Sequence, residues 1–546
     1  MIKKYVIKFS YFLSFYISFI ITYLNYDIVY SPDFDKYFNY FLFYTGEIES
    51  TALEQGNFYY YFLYIFTLLI QALTGGLSNF DTLNISILFG NFILYYFGTL
   101  GLRKYLFFQG FNLNKIYLSL IVLNISPPSL ILRMTFKPEL LGFVFIVWGI
   151  YLIDLFKKKK EIEFLYYFLL ISIFISTLKI SIFVMYLIFM FFHFGIKNLV
   201  KFRQLKVKKI ILLFSAIFLL HSENYFLNDK LIFDVQHDEK YNNSASFEFF
   251  TNYNPREIND NPHKDFHNNS FRAITLLDTF SDYFELYWNA DHSKFNSHRK
   301  DFLVFEEKEP GKKTNTIPII KFSKETRTLK YVGDVNSRYI AEDEGENILD
   351  EIRMRTSLNV TLFFYFLVIV ISFFYKSLRL SLLSPIIGIG AVAFSSAGFF
   401  STKNFDPTMG DSVKTFYYAF FLCLSLTCLL VIINTRLKGK GTVISVFLIF
   451  MFLFFLGFPS KYSEQMIDYK NYKNSIVFTC ELNQIFIEYD NVLNFENCKD
   501  SLQKKDSIYK YNSVGLKANL QSIPFTNLVF AIYLCLNLYK IRNKLE

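Results

Sequence analysis

Leu140-Leu141-Gly142-Phe143-Val144-Phe145-Ile146-Val147-Trp148-Gly149-Ile150-Tyr151-Leu152-Ile153 carries no charge and no polar stripe. Glu139 precedes it, and Asp154 and Lys157–Lys160 follow it. A surface helix of a soluble protein alternates polar and apolar faces, so a run apolar on every side belongs in a core or in lipid. The same pattern recurs at 6–25, 84–102, 116–131, 163–178, 180–195, 210–223, 357–375, 380–398, 415–434, 441–458 and 526–540. These lengths, about 16–22 residues, are what a bilayer demands of a spanning helix. A chain of 546 residues with 53% hydrophobic and 20% aromatic content agrees. The expected fold is an α-helical polytopic membrane protein with about 12 transmembrane helices.

The charges report orientation. Lys3/Lys4/Lys8, Arg103/Lys104/Lys115, Lys157–Lys160, Lys197–Lys209, Lys376/Arg379, Arg436/Lys438/Lys440 and Lys540/Arg542/Lys544 all fall on one side of the expected membrane. The positive-inside rule makes that side cytoplasmic and puts both termini there. The net charge of +9 thus reads as topology and headgroup contact, not nucleic-acid binding. This works only if the apolar stretch 58–74 does not cross. Its tyrosines, Tyr59, Tyr60, Tyr61 and Tyr64, suggest an interfacial helix in the headgroup zone. No small-residue cleavage site follows the first apolar segment, which is expected to stay as an anchor.

Five regions follow: a transmembrane core at 1–223, a large extracytoplasmic domain at 224–356 and transmembrane helices at 357–459. A small extracytoplasmic segment at 460–525 precedes a last helix and cytoplasmic tail at 526–546. The 224–356 block mixes apolar residues with Asp, Asn, Lys and Glu, and is long enough for a modest α/β core. Cys480 and Cys498 both lie in outer soluble sequence and are expected to form a disulfide. Cys423, Cys428 and Cys535 lie in apolar runs and read as packing residues. His263 and His267 stand four apart without a third ligand, so no metal site is expected. No P-loop is present, which argues against an ATP-driven pump.

Carboxylates at a membrane boundary are costly and often functional, which draws attention to Ser31-Pro32-Asp33-Phe34-Asp35-Lys36-Tyr37 and to Glu54-Gln55-Gly56. The first resembles the Pro-Asp-Glu-x-Arg-Tyr pattern of lipid A aminoarabinose transferases, with Lys36 in place of Arg. The second resembles their Glu-Lys-Pro, although Gln55 and Gly56 depart from it. With seven apolar runs before a large outer insertion, residues 1–223 are similar to the GT-C membrane glycosyltransferases, which include the protein O-mannosyltransferases. The resemblance implies an inverting glycosyltransferase of a bacterial inner membrane. It would move a sugar from a polyprenyl-phosphate donor to a lipid, glycan or protein acceptor on the extracytoplasmic face, among membrane lipids and without nucleic acid. It implies no certain cofactor and leaves a divalent cation open.

Such transfer needs a base for the acceptor proton and cations for the departing phosphate. The resemblance gives Asp33 the role of base, with Asp35, Tyr37 and Glu54 as further motif residues; an N-cap for the segment Lys36–Tyr44 is the plainer alternative for Asp33. Glu139 is the second catalytic candidate, and it is equally an ordinary acid in a helix's first turn after Pro138. Lys179 interrupts Ser176-Thr177-Leu178-Lys179-Ile180 and, by resemblance, faces the carrier phosphate together with Arg133, Lys137 and Lys36; a polar hairpin tip or snorkelling cations would look the same. Asp282, Tyr283 and Trp288 suit acceptor or sugar binding, or else a buried amphipathic helix. Two other functions fit the same composition. An O-antigen-type polymerase or ligase needs no acidic motif after the first span, and a transporter would show repeated halves or mid-membrane charges.

Overall fold

The computed structural model describes residues 2–25, 58–74, 79–195, 205–228, 244–245, 247–262, 270–281, 302–304, 316–323, 328–336, 348–396, 405–406, 415–437, 439–456 and Tyr533. Helices dominate these residues. The first half holds α1 (Ile2–Asn25), α2 (Phe58–Thr74), α3 (Asn79–Phe108), α4 (Leu113–Ile125), α5 (Pro127–Met134), α6 (Glu139–Lys159), α7 (Ile162–Ser176), α8 (Ile180–Phe194) and α9 (Val207–Asn228). The short helices α10 (Phe247–Thr251), α11 (Pro255–Asp260) and α12 (Phe271–Leu277) follow. The long helices α13 (Ile348–Phe374), α14 (Arg379–Ser396), α15 (Ala419–Arg436) and α16 (Lys440–Leu456) complete the bundle.

Among the described residues, five helices are long and apolar enough to cross a membrane, or six if the bent pair α4–α5 is one span. The protein is on this ground a helical polytopic membrane protein. Its outer surface agrees, since Phe363, Phe366 and Phe373 of α13 and Phe447 and Phe450 of α16 are exposed. A row of bare aromatics of this kind suits lipid and not water.

α6 is the central post. Its apolar residues are buried from Leu140 to Phe156, against α3, α7, α8 and α15. Small residues let the backbones close up: a Cβ on Gly98 of α3 would lie 2.6 Å from the Phe143 ring. Five residues on from Phe143, the Trp148 indole N–H donates to the Phe97 carbonyl at 3.1 Å.

The run 116–131 is not the single span its hydropathy suggests. It breaks at Ser126, where α4 and α5 meet at 62°. The cause is Pro127-Pro128, which removes amide donors and forces Ser126 into an extended conformation (φ −71°, ψ 142°). Lipid offers no partner for the polar groups around the break, so protein must. The Tyr95 hydroxyl donates to Asn124 Oδ1 at 3.1 Å, and Asn124 Nδ2 donates to Ser14 Oγ at 3.0 Å.

The tyrosines of α2 pack against protein. Tyr59, Tyr60, Tyr61 and Tyr64 are buried in helix contacts, while Leu69 and Leu73 at the other end are exposed. Phenol rings here act as core side chains with a polar handle.

In the 224–356 block, α11 and α12 pack Ile258, Ala273 and Leu277 on Met354 and Leu358 of α13. Phe280 then reaches Phe364 and Phe452, with ring centroids at 5.2 and 5.3 Å. Three strands, β2 (Phe302–Val304), β3 (Thr316–Ser323) and β4 (Thr328–Asn336), form an antiparallel sheet in the order 2-3-4. A two-residue parallel bridge joins β1 (Ser244–Ala245) to β5 (Phe405–Asp406).

Candidate functional site at the start of the central helix

Pro138 immediately precedes α6 with φ −72°, the value a proline ring imposes and a helix entry requires. Glu139 therefore falls in the first turn, where the helix dipole favours an anion. Forty positions later in the packing partner, the chain leaves α7 through Thr177 and Leu178, and Lys179 becomes the N-cap of α8 in an extended conformation. The two helix starts are pressed together. A Cβ on Gly142, one turn into α6, would meet Ile182 of α8 at 3.1 Å.

That approach joins the two charges. Lys179 Nζ donates to Glu139 Oε1 at 3.2 Å. The Glu139 side chain is 1% exposed and the Lys179 side chain 19%. The ammonium also lies 4.5 Å from the centroid of the Tyr417 ring, in the short 3-10 turn Thr415–Tyr418 that leads into α15. Glu139 Oε2 has no hydrogen-bond partner among the described residues. The sequence singled out both residues, but gave no sign that they meet.

Arg133 is differently employed. Its guanidinium is wholly buried: Nε donates to the Ser129 carbonyl at 3.0 Å, and Nη2 to the Asn124 carbonyl at 2.6 Å. Nη1 donates to Ser18 Oγ of α1. The Phe92 and Tyr95 rings flank it at 4.8 and 4.6 Å. Its donors bind the protein's own α4–α5 break, so Arg133 neither snorkels nor presents a free fork to a phosphate. Lys137, in the α5–α6 connection, is buried as well.

That connection is pinned by Asn91, which no motif in the sequence singled out, and by two of the α2 tyrosines. Asn91 Nδ2 donates to the carbonyls of Arg133 at 2.8 Å and Thr135 at 3.2 Å. The Tyr59 hydroxyl donates to Asn91 Oδ1 at 2.8 Å, and Tyr60 packs edge-on to Phe136 at 5.3 Å. An Asn in the middle of an apolar run was the available signal, since an amide in lipid needs a partner.

A second polar cluster stands toward the other end of α6. Asp154 lies about 22 Å from Glu139 along the axis, at 1.5 Å per residue. Asp154 Oδ1 is 2.9 Å from His193 Nε2 of α8, and Oδ2 accepts from Gln109 Nε2 at 2.6 Å. Lys157 Nζ is 4.0 Å away. The acid is thereby engaged by neighbours following α3 and within α8, and it fastens the basic end of the bundle.

Asp33, Asp35, Lys36, Tyr37, Glu54, His263, His267, Asp282, Tyr283, Trp288, Cys480 and Cys498 lie outside the described residues. Of the patch that precedes Asp282, Asp278 and Thr279 are buried, and Thr279 Oγ1 is 3.5 Å from the Tyr365 hydroxyl. Among the described residues no group of three or more His, Cys, Asp or Glu side chains comes together. No family model, no curated protein and no solved structure matches the chain.

Proposed function

We propose that the protein is an inverting glycosyltransferase of the GT-C type, taking a sugar from a polyprenyl-phosphate donor on the extracytoplasmic side of a bacterial inner membrane. In this reading about 12 spans carry a mixed α/β extracytoplasmic domain at 224–356, and both termini are cytoplasmic. The observation that supports it most is the buried Lys179–Glu139 pair at the end of α6 opposite Lys157–Lys160. A charged pair at a membrane boundary is costly and marks a working site more often than a structural one.

The chemistry assigns one task to each group. Asp33 takes the proton of the acceptor hydroxyl as its oxygen forms a bond to the anomeric carbon. The bond from that carbon to the phosphate oxygen breaks on the opposite face, which inverts the centre. The leaving phosphate carries the electron pair away, and Lys179 stabilises its charge, with Lys137 and Lys36 in support. Arg133 holds the α4–α5 break on which this end of the bundle rests. Asp282, Tyr283 and Trp288 are proposed to bind the acceptor.

Mass profiling of lipids and envelope glycans from a strain lacking the protein tests this directly. Loss of one sugar residue is the expected result. Accumulation of unpolymerised repeat units would point to the polymerase reading, and an unchanged profile would overturn glycosyl transfer.

A further inference from the structure

α13 gives way to α14 through Tyr375 and the 3-10 turn Lys376–Leu378, and α15 gives way to α16 between Arg436 and Lys440. Three of these helices are long and apolar enough to span, so both corners lie at a membrane boundary. Arg436 joins them. Its Nε donates to the Tyr375 hydroxyl, and its guanidinium carbon lies 5.5 Å from the centroid of the Tyr375 ring. Arg379 Nε donates to the Ser372 carbonyl at 3.1 Å, among the last carbonyls of α13. Ser372 and Tyr375 are three positions apart, so the two guanidiniums are docked about one turn apart on the same helix end.

Each arginine is held through Nε alone. Among the described residues nothing hydrogen-bonds the Nη atoms of Arg379 or Arg436, and no carboxylate pairs with Lys376, Arg379, Arg436 or Lys440. All four cations are exposed. Arg133 and Arg103 differ, since both give Nη donors to the protein itself. A snorkelling arginine needs only a wet charge, whereas these two are tied back with the fork left open, the geometry that grips two oxygens of one phosphate.

The support beneath them is rigid. Leu378 is buried under the first corner. At the second, Asn434 Nδ2 donates to Ser119 Oγ of α4, and Ser445 Oγ of α16 donates to Asn434 Oδ1, each at 3.2 Å. A Cβ on Gly441 would lie 2.8 Å from Asn434 Cα, so α16 starts hard against the end of α15. The surface beside the cations is apolar: Phe373 and Phe374 precede the first corner, Val443 and Phe447 follow the second, and all four are exposed. Like charges held together without an acid attract an anion, and the bare aromatics ask that it carry hydrocarbon. A zwitterionic headgroup would bring an ammonium of its own into the cluster.

We propose that the two corners form a binding site for one anionic phospholipid. Its phosphodiester is held by the Nη forks of Arg379 and Arg436, with Lys376 and Lys440 adding charge, and its acyl chains lie along α13 and α16. The lipid fastens the α13–α14 hairpin to the α15–α16 hairpin, whatever reaction the protein carries out.

The test is native mass spectrometry of the full-length protein released from detergent and titrated with phosphatidylglycerol, phosphatidylethanolamine of the same acyl chains, or glycerol 3-phosphate. Phosphatidylglycerol should bind about tenfold more tightly than phosphatidylethanolamine, and glycerol 3-phosphate should not bind at concentrations that saturate with lipid. Arg379→Gln combined with Arg436→Gln should weaken phosphatidylglycerol binding roughly thirtyfold, the effect of two basic residues at an anionic headgroup. Lys159→Gln combined with Lys208→Gln removes the same charge at exposed positions elsewhere and should leave binding unchanged. Arg379→Lys combined with Arg436→Lys keeps the charge without the forks and should recover only part of the affinity. The proposal is overturned by equal affinity for the two lipids, or by glycerol 3-phosphate binding as tightly as lipid. It is equally overturned by a loss no greater in the arginine pair than in the lysine pair, or by full recovery in the Arg→Lys pair. Should the Arg→Gln pair fail to fold, Tyr375→Phe keeps every charge and releases Arg436. Weaker phosphatidylglycerol binding by that variant upholds the site, and unchanged binding removes it.

Discussion

Arg133 shows how a residue's role depends on a fold that its neighbours in sequence do not reveal. Its place between two apolar runs gave it the look of a boundary cation, whereas the chain turns back at Ser126 and buries the guanidinium among carbonyls and hydroxyls. Among the described residues it makes no ion pair, so its charge is stabilised by neutral acceptors and two aromatic faces. Arg133→Lys keeps the charge but not the planar fork, and leaves the Asn124 or Ser129 carbonyl without its donor. Each such loss costs about 1–3 kcal/mol, so the purified variant should unfold at lower temperature than the wild type. An unchanged unfolding midpoint would show that the fork is dispensable. Asp33→Asn addresses chemistry instead of stability. It keeps a capping oxygen but cannot take a proton, so transfer should fall by at least ~10²-fold while folding and donor binding persist. A near-normal rate of complementation by this variant would remove Asp33 from the role of base and turn attention to Asp35.

At the scale of elements, hydropathy marked the long runs well because lipid imposes one demand, a sustained apolar surface, that any window can detect. The helices α3, α6, α13 and α14, which cover all or nearly all of the runs 84–102, 139–155, 357–375 and 380–398, were legible for that reason. The break at Ser126 was written in Pro127-Pro128 and hidden by the apolar average around it. The α2 tyrosines were harder, because a phenol suits both a headgroup zone and a polar partner within the protein, and their packing on Asn91 and Phe136 is visible only in the fold. Helix contacts yield a further test. Gly98→Leu would force α3 from the Phe143 ring, an overpacking that typically costs about 1–3 kcal/mol. Gly390→Ala on α14 meets nothing within 4 Å and should be neutral or stabilising by up to ~1 kcal/mol, which makes it the matched control. Comparing their detergent-solubilised unfolding midpoints checks both, and equal midpoints would contradict the packing of α3 on α6.

Across the whole molecule, α6 separates two polar clusters: Glu139 with Lys179 at its start, and Asp154 with His193, Gln109 and Lys157 toward its end. The lysines Lys157–Lys160 follow the second cluster, and the proposed topology puts that end in the cytoplasm by the positive-inside rule. α6 is long and apolar enough to cross, so the same proposal puts Glu139 on the extracytoplasmic side. The chain between α1 and α3 must agree with this assignment. If 58–74 does not cross, the segment 26–57 with Asp33 lies on the same side as Glu139, and base and phosphate-binding lysine can meet. If it crosses, they stand on opposite faces and the proposed mechanism has no site. A single cysteine introduced as Ser31→Cys, in a protein whose five native cysteines have been replaced, reports the outcome through an impermeant maleimide. Labelling of intact spheroplasts is expected. Protection until lysis would put Asp33 in the cytoplasm, and glycosyl transfer through Asp33 and Lys179 together could not stand.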